Sequence, residues 1–395
     1  MPVTRIALAW ELGLSIGHAT ALARLGVRLR ERGHHVGLFL RDLAPLHFLP
    51  EAKALNVFEA PRASMEGLWG GPPLSYAEIL KGCGYATAQS VGGLLAGWRV
   101  AFAQWKPDLV VCDFAPTALL AARTLGIRRA TYGNGFFTPP RVTPLPQFRI
   151  DRPVDAARLV ELDAGVLANV NGALQSCGSA PLERLAQQFE ADEDFLCTFP
   201  ELDHYGARPV SAWWGPRFSV ESGRAIDWPS GPGKRVLVYV QPELAMLDDM
   251  LNTLRARNHS VVAFVPTLDA ARRSAHAGPR MRMPEGLVRL DRLLPECDLL
   301  VCHGGDIASG AIASGIPQLI FPGHYEQHLT AVRIEQLGAG LAMRTPSPVA
   351  PMIDRLLGDP SFTARARAFA ARYPAWSPSE QRRRVLARIE QIVAA

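Results

Sequence analysis

The chain has 395 residues, of which 48% are hydrophobic and 20% are charged, and its formal net charge at pH 7 is +5. This length favours two domains over one core, and the composition excludes a disordered or collagen-like chain. No apolar run reaches the about 18 residues of a membrane span and no signal peptide is visible, so we expect a cytoplasmic protein. The six cysteines form no CxxC pair, which is typical of reduced thiols and argues against a structural zinc site.

The first half of the chain alternates apolar strands with helices. A predicted strand at 5–10 leads into a Gly-containing turn, and an amphipathic helix at 19–32 ends at Gly33. A strand at 35–40 completes a strand–helix–strand unit, which we expect to be parallel and right-handed. Further strands are predicted at 108–112, 129–132 and 194–198, and helices at 116–125 and over much of 158–191.

A second alternating half follows a Pro/Gly/Trp-rich segment at 205–234, which predicts a domain boundary. We place an N-terminal domain at 1–220, a linker at 221–233 and a C-terminal domain at 234–375. The remaining residues, 376–395, are expected to form a basic helix that packs back on the N-terminal domain. The strands predicted in this half are 235–240, 260–265, 286–290, 299–302 and 318–321, and the helices are 244–257, 306–314, 330–337, 348–357, 362–371 and 379–393.

The stretch from Asp298 to Gly340 carries the clearest functional pattern. Its apolar strand runs into His303-Gly304-Gly305, a sharp turn that is followed at once by a helix. Unpaired amides and the positive end of a helix dipole meet at such a turn and form an anion site. A nucleotide or a sugar phosphate is therefore the first hypothesis for the ligand.

Five short motifs occur along the chain in a fixed order. They are Gly17-His18 before a helix, Arg32-Gly33-His34-His35-Val36, Lys106 to Asp113 (KPDLVVCD), Trp214-Gly215-Pro216, and a last set of His303-Gly304-Gly305, Gly315-Ile316-Pro317, Pro322 and Glu326-Gln327. This pattern resembles the family 1 GT-B glycosyltransferases, the UDP-glycosyltransferase and macrolide glycosyltransferase-like enzymes, over most of the chain. The resemblance implies an α/β fold of two doubly wound, Rossmann-like domains facing across a cleft. It also implies a UDP- or dTDP-sugar as co-substrate, without a cofactor or a metal.

The resemblance assigns catalysis to His18 and Asp113. Imidazole titrates near neutral pH, so a histidine suits the base that takes the proton of an acceptor hydroxyl. Asp113, at the end of a parallel strand, would accept the other ring N–H and stabilise the imidazolium. Direct displacement at the anomeric carbon by that hydroxyl inverts its configuration. The alternatives are a packed or helix-capping His18 and a capping role for Asp113.

The donor sugar nucleotide is assigned to the second half. His303, with the amides of Gly304 and Gly305, would stabilise the charge of the leaving diphosphate. Glu326 and Gln327 would bind the sugar hydroxyls, and the alternative is a polar pair at a helix start. The further donor-site residues predicted are Gly17, Gln241 and Ser309.

Several positions depart from the family pattern. A glutamate that binds the ribose in the family is missing, because Gly310 stands at the matching position. Gln241 occupies the place of a Ser or Thr that commonly contacts the diphosphate, and residues 289–294 contain no tryptophan. Ala21 replaces the usual proline after the Gly-His pair. What recognises the nucleoside therefore stays open.

The expected acceptor is a hydroxylated hydrophobic small molecule or lipid. Aromatic side chains suit such an acceptor, with ordinary packing as the alternative, and those predicted to bind it are Trp69, Tyr76, Phe136 and Phe137. The basic final helix is either a solvated face or a peripheral contact for anionic lipid, and no pattern indicates nucleic acid. The alternative functions are a non-catalytic GT-B protein that binds a glycan or a partner, a nucleotide-sugar epimerase and a protein glycosyltransferase.

Overall fold

The computed structural model describes residues 3–13, 16–63, 71–150, 153–206, 208, 213–220 and 223–394. The chain divides into two compact units. Unit 1 is Met1–Gly215 with Gln381–Ala395, and unit 2 is Pro216–Glu380. The division between Gly215 and Pro216 falls inside the Pro/Gly/Trp-rich segment, where few apolar runs are available to extend either core.

Unit 1 contains a parallel sheet of six strands within the described residues. The strands are β1 Arg5–Trp10, β2 His35–Leu40, β3 Asn56–Glu59, β4 Leu109–Asp113, β5 Arg128–Gly133 and β6 Glu193–Leu196. They lie in the order β3-β2-β1-β4-β5-β6. The central pair is buried, and Trp10 at the end of β1 lies opposite Asp113 at the end of β4. The chain order reverses between β1 and β4, so the carboxyl ends of these two strands form a topological switch point.

The helices of unit 1 agree with the prediction in part. The helix predicted at 116–125 is found, the one predicted over much of 158–191 ends at Ser176, and no bounds were predicted for the helices at Tyr76–Leu80 and Ala88–Trp105. The helices before unit 2 are α1 Ile16–Glu31, α2 Tyr76–Leu80, α3 Ala88–Trp105, α4 Pro116–Thr124 and α5 Ala156–Ser176. α1 starts three residues earlier than the predicted Ala19, so Gly17 and His18 lie in its first turn and not in the loop before it. Short 3₁₀ segments occupy Ala44–Phe48, Pro50–Ala54, Leu185–Phe189 and Pro200–Leu202, and a π-helical turn occupies Lys81–Tyr85.

Unit 2 repeats the same sheet. Its strands are β7 Arg235–Tyr239, β8 Ser260–Phe264, β9 Met281–Arg282, β10 Leu299–Cys302, β11 Gln318–Ile320 and β12 Gly340–Ala342. They are parallel and lie in the order β12-β11-β10-β7-β8-β9, which is the order of unit 1 read from the other edge. The switch point of unit 2 lies between β7 and β10, where Tyr239 is opposite Cys302. The predicted α/β class with two doubly wound, Rossmann-like domains is confirmed.

The helices of unit 2 pack on this sheet around a continuous apolar core. They are α6 Leu247–Ala256, α7 Ala270–His276, α8 Asp306–Ala313, α9 Tyr325–Gln336, α10 Ala350–Gly358 and α11 Pro360–Ala370, with a 3₁₀ turn at Leu294–Glu296. Alternate strand residues such as Val238 and Val301 join Leu254 of α6 and Ile353 of α10 in that core. α9 begins at Tyr325, before the predicted start at Thr330, and thus includes Glu326 and Gln327.

One predicted strand is wrong. Residues 286–290 form no strand, and the edge of the sheet is instead the two-residue β9. The backbone of this segment bonds to the chain that enters unit 2: Arg224 N donates to Leu287 O, and Leu290 N donates to Val220 O. Val288 and Leu290 of this segment are buried, but their burial does not require pairing with the sheet.

The last helix, α12 Pro378–Ala394, belongs to unit 1 from Gln381 onwards. Its arginines contact that unit directly: Arg388 Nε lies 2.6 Å from Glu193 Oε2, and Arg384 lies over the ring of Trp214 at 5.0 Å. Ile389 of the same helix is fully buried. Across the described ranges, no helix has the length and apolar character needed to cross a membrane.

We expect Ile389→Ala to lower the free energy of unfolding by about 2–5 kcal/mol, because a buried isoleucine leaves a cavity when it is truncated. Denaturant unfolding followed by circular dichroism measures the loss. Val160→Ala is the control, since Val160 is 54% exposed and its truncation should change the stability by less than about 0.5 kcal/mol. Equal stabilities for the two variants would show that α12 does not contribute to the core of unit 1.

Candidate active site

The switch point of unit 1 brings His18 and Asp113 together. His18 Nδ1 lies 2.9 Å from Asp113 Oδ1, and the two residues are 4% and 0% exposed. A carboxylate only accepts, so Nδ1 carries the proton and Nε2 is left as the basic nitrogen. This is the orientation that a carboxylate gives to the histidine of a general-base pair.

Aromatic rings surround the His18 imidazole. Trp10 is stacked on it at 5.4 Å between centroids, Phe137 meets it edge-on at 4.8 Å, and Phe114 lies at 5.9 Å. The rings restrict the imidazole to one orientation and exclude water from the pair, which strengthens its electrostatic coupling. Neither Trp10 nor Phe114 was predicted from the sequence as a site residue. Their positions, each at or directly after the end of a central strand, were the signal that could have identified them.

The basic edge of the imidazole faces the loop between β1 and α1. Gly13 in this loop has φ +83°, which favours glycine, and a Cβ built there would lie 3.2 Å from His18 Nε2. A side chain at position 13 would therefore crowd the nitrogen that has to receive a proton. Gly17 follows on α1, where its carbonyl accepts from the Thr20 hydroxyl at 3.2 Å.

The predicted acceptor residues fall into different environments. Tyr76 is 1% exposed and packs edge-on against Phe114 and Phe189, so it is a core residue in this structure. Phe136 is also buried and stacks on Phe148 at 4.6 Å. Of the three acceptor candidates that the structure describes, Phe137 is the partly exposed residue, and it contacts His18. Trp69 lies outside the described residues.

In unit 2 the switch point is occupied by His303. The backbone N–H of Gln241 donates to His303 Nε2 at 2.8 Å, and His303 Nδ1 lies 2.6 Å from the carbonyl oxygen of Phe321. A carbonyl only accepts, so the proton is on Nδ1 and the ring is neutral. Burial lowers the pKa of His303, in agreement with the neutral form. In this arrangement His303 holds together the ends of β7, β10 and β11 and presents no imidazolium charge.

The turn after His303 has the geometry of an anion site. Gly304 has φ +102°, and a Cβ there would lie 3.1 Å from the Gln327 carbonyl oxygen. Gly305 is the N-cap of α8 and, as a glycine, has no side chain to cap the first amides of that helix. The carboxylate of Asp306 in the first turn accepts from Arg217 Nε at 2.9 Å, and the Arg217 side chain is 3% exposed. The arginine compensates a negative charge that would otherwise oppose an anion here.

The predicted gap at Gly310 is filled by a ring from the chain that enters unit 2. A Cβ built on Gly310 would overlap the ring of Phe218, a buried residue that is 7% exposed. Arg217 and Phe218 thus lie along the first two turns of α8, on the face that carries Asp306 and Gly310. A carboxylate at position 310 and Phe218 in this place exclude each other. Sequence reasoning missed Phe218 because nothing in the local pattern links it to α8.

The remaining donor-site candidates lie on α8 and α9. Glu326 is buried in the first turn of α9, with Oε2 3.8 Å from His324 Nδ1. Gln327 Oε1 accepts from the Gly323 amide at 2.8 Å and so closes the loop before the helix. Ser309 is half-buried on α8. Within the described ranges, no cluster of three or more His, Cys, Asp or Glu side chains is suited to hold a metal ion.

Two Rossmann-like units, each with candidate site residues at its switch point, are the architecture of the GT-B class. Residues 249–386 match the family described as erythromycin biosynthesis protein CIII-like, C-terminal domain. The elloramycin glycosyltransferase ElmGT of Streptomyces olivaceus is 38% identical over 380 residues, which cover 90% of each chain. The solved structure of the glycosyltransferase VinC in complex with dTDP matches 99% of both chains with a TM-score of 0.67 at 18% identity. The solved structure of spinosyn rhamnosyltransferase SpnG complexed with spinosyn aglycone matches 97% of this chain and 100% of its own, with a TM-score of 0.62 at 17% identity.

The chain belongs to the family 1 GT-B glycosyltransferases and is a glycosyltransferase. The resemblance inferred from the five motifs is thereby confirmed. The alternatives of a non-catalytic glycan-binding protein and of an epimerase are set aside, because the relatives that match 90% and 83% of this chain are sugar transferases.

Gly310→Ala tests the packing of Phe218 on α8. Replacing glycine by alanine inside a helix normally stabilises it by about 0.5–1 kcal/mol. Here we expect a loss of about 1–3 kcal/mol from overpacking, measured by denaturant unfolding. The control is Gly165→Ala in α5, where a Cβ meets nothing within 4 Å and the usual gain should appear. In a Phe218→Ala background the cost of Gly310→Ala should largely vanish, and an unchanged cost would contradict the contact.

Proposed function

We propose that the protein transfers a sugar from a dTDP- or UDP-sugar to a hydroxyl group of a hydrophobic small molecule or lipid, with inversion at the anomeric carbon and without a metal. The observation that carries this proposal is the buried His18–Asp113 pair at the end of the central strands of unit 1. Glycosyl transfer to a hydroxyl needs a base that takes the hydroxyl proton. The His18–Asp113 pair would supply that base.

The acceptor half of the reaction is assigned to His18. Its Nε2 takes the proton of the acceptor hydroxyl while the oxygen attacks the anomeric carbon. The new C–O bond forms as the bond from that carbon to the diphosphate oxygen breaks, and the bond electrons leave with the diphosphate. Asp113 keeps Nδ1 protonated and stabilises the imidazolium that results. Attack opposite the leaving group inverts the configuration.

The donor half is assigned to the Gly-rich turn of unit 2. The amides at Gly305 and the first turn of α8 would face the leaving diphosphate, and the helix dipole adds to their positive potential. The neutral His303 keeps the turn in place through its bonds to Gln241 and Phe321. Preorganised amides stabilise developing charge without reorganisation, so the proposal needs no metal. Glu326 and Gln327 are proposed to bind the sugar.

Two comparisons support the classes of substrate. VinC was solved with dTDP and SpnG with the spinosyn aglycone. We favour dTDP over UDP for this chain, because position 310 offers no carboxylate to ribose hydroxyls and deoxyribose has one hydroxyl fewer to satisfy. Phe137, half-buried and in contact with His18, would contact an apolar acceptor.

A direct test incubates the protein with dTDP- and UDP-linked hexoses and a panel of hydrophobic polyketide, phenolic and lipid acceptors. A folded protein is included as a further acceptor to test the alternative of a protein glycosyltransferase. Release of nucleoside diphosphate that depends on the acceptor, and a product of inverted configuration by NMR, are expected. Retained configuration would refute the direct displacement. Activity that is lost on chelation of divalent metals and restored by their addition would refute the metal-independent part.

His18→Ala should lower kcat about 10²- to 10⁴-fold, because it removes the base for the acceptor hydroxyl. Steady-state rates of dTDP release measure the effect, and calorimetry should find dTDP affinity unchanged. His35→Ala is the matched control, since His35 is an exposed residue at the start of β2 and should leave both quantities unaltered. Wild-type turnover in His18→Ala would exclude His18 as the base.

His303→Ala should weaken dTDP binding by about tenfold, because the two hydrogen bonds that hold the turn together are lost. Isothermal titration with dTDP gives the affinities. His259→Ala serves as the control. His259 lies just before the amino-terminal end of β8, whereas the turn follows the carboxyl-terminal ends of the parallel strands. Equal affinities in wild type and His303→Ala would place the diphosphate elsewhere.

A further inference from the structure

Glu11 is a fully buried carboxylate that the mechanism above does not use. It follows directly after β1, is 0% exposed, and its side chain reaches the start of α4, the helix that follows Asp113. Glu11 Oε2 accepts from the amides of Thr117 at 2.8 Å and Ala118 at 3.4 Å, while Oε1 accepts from the Thr117 hydroxyl at 2.5 Å.

These bonds replace the cap that α4 lacks. The N-cap residue of α4 is Ala115, which has no side-chain acceptor for the first amides. A serine or aspartate at that position would cap the helix locally. Glu11 does the same from the neighbouring strand, so the capping bonds also tie the end of β1 to the end of β4.

Further contacts show that this connection is built to be rigid. Leu12 N donates to Phe114 O at 2.9 Å, parallel to the bonds of Glu11. Phe114 itself has φ +48°, a strained conformation for a bulky residue, which persists only when its surroundings enforce it. The strained residue lies between Asp113 and α4, and its ring touches His18.

The Thr117 hydroxyl that donates to Glu11 belongs to a buried chain of hydrogen bonds. Because the Thr117 hydroxyl donates to Glu11, it accepts from Tyr85, whose oxygen lies 2.8 Å away. Tyr85 in turn accepts from Gln188 Nε2 at 2.9 Å. Burial raises the pKa of Glu11 to about 7, against the opposing effect of the bonds from Thr117 and Ala118. A group this costly to bury has to be kept in place by its partners.

We propose that Glu11 is a positioning residue for the catalytic pair: by capping α4 from the end of β1, it sets the separation of His18 and Asp113. Both partners of the pair lie close to the segments that Glu11 joins, because His18 is in the first turn of α1, which follows β1, and Asp113 ends β4, which precedes α4. A displacement of about 1 Å between such groups is enough to cost up to about 100-fold in rate. The role in catalysis rests on the function proposed above, whereas the effect on the His18–Asp113 hydrogen bond does not.

The test therefore uses a readout that is independent of turnover. The Nδ1–H of His18 bonded to Asp113 should give a low-field proton resonance, identified by its absence in His18→Ala. We expect Glu11→Ala to lose this resonance and to lower kcat about 10- to 100-fold, with dTDP affinity unchanged. Glu51→Ala, at an exposed glutamate of unit 1, is the matched control and should keep both signals.

Thr117 provides a second pair of variants in case Glu11→Ala does not fold. Thr117→Val removes the hydroxyl that donates to Glu11 and should weaken the resonance and kcat in the same direction, whereas Thr117→Ser keeps the hydroxyl and should restore both. Folded Glu11→Ala or Thr117→Val with an unchanged resonance and unchanged kcat overturns the proposal. If no donor is turned over by the wild-type protein, the proposed function fails, and loss or retention of the resonance still decides the role of Glu11.

Discussion

The pairing of β1 with β4 is the contact on which the rest of unit 1 depends. In a parallel sheet the connections leave the carboxyl ends of the strands, and between β1 and β4 they run to opposite sides. The two strand ends therefore stay uncovered by their own loops, and the register places Trp10 opposite Asp113 there. Unit 2 repeats the arrangement between β7 and β10, where Gln241 and His303 meet. The same topological constraint thus positions the candidate site residues of both units.

Hydrogen bonds and ion pairs to carboxyl groups make these strand ends rigid. Asp113 is held by His18, Glu11 by the amides and hydroxyl at the start of α4, and Asp306 by Arg217. An unpaired carboxylate in such surroundings would be costly, so each one constrains the partner that compensates it. The consequence for function is orientation. His18 is fixed with Nε2 as the basic nitrogen, and the first turn of α8 is relieved of a charge that would repel a diphosphate.

Much of the fold was predictable because central parallel strands are continuous apolar runs. β1 and β2 have the predicted bounds, Arg5–Trp10 and His35–Leu40, since both faces of these strands are buried. Of the edge strands, β6 was predicted, whereas β3, which is partly exposed, and β12, which has three residues that begin with glycine, were not. The apolar residues at 286–290 indicated a strand. Val288 and Leu290 are buried, but the segment does not pair with the sheet. Backbone hydrogen bonds are chosen by neighbours in space, which local periodicity does not contain.

The amino-acid sequence by itself determined the class of the protein, and it indicated His18, Asp113 and His303 as candidate site residues. It could do so because short motifs and apolar runs are local properties of the chain. The tertiary structure alone decided that His303 is neutral, that Tyr76 and Phe136 are buried, and that Phe218 occupies the space beside Gly310. It also decided that Glu11 caps a helix that begins far along the chain. Each of these depends on contacts between segments distant in sequence, and only the packed chain determines which of them meet.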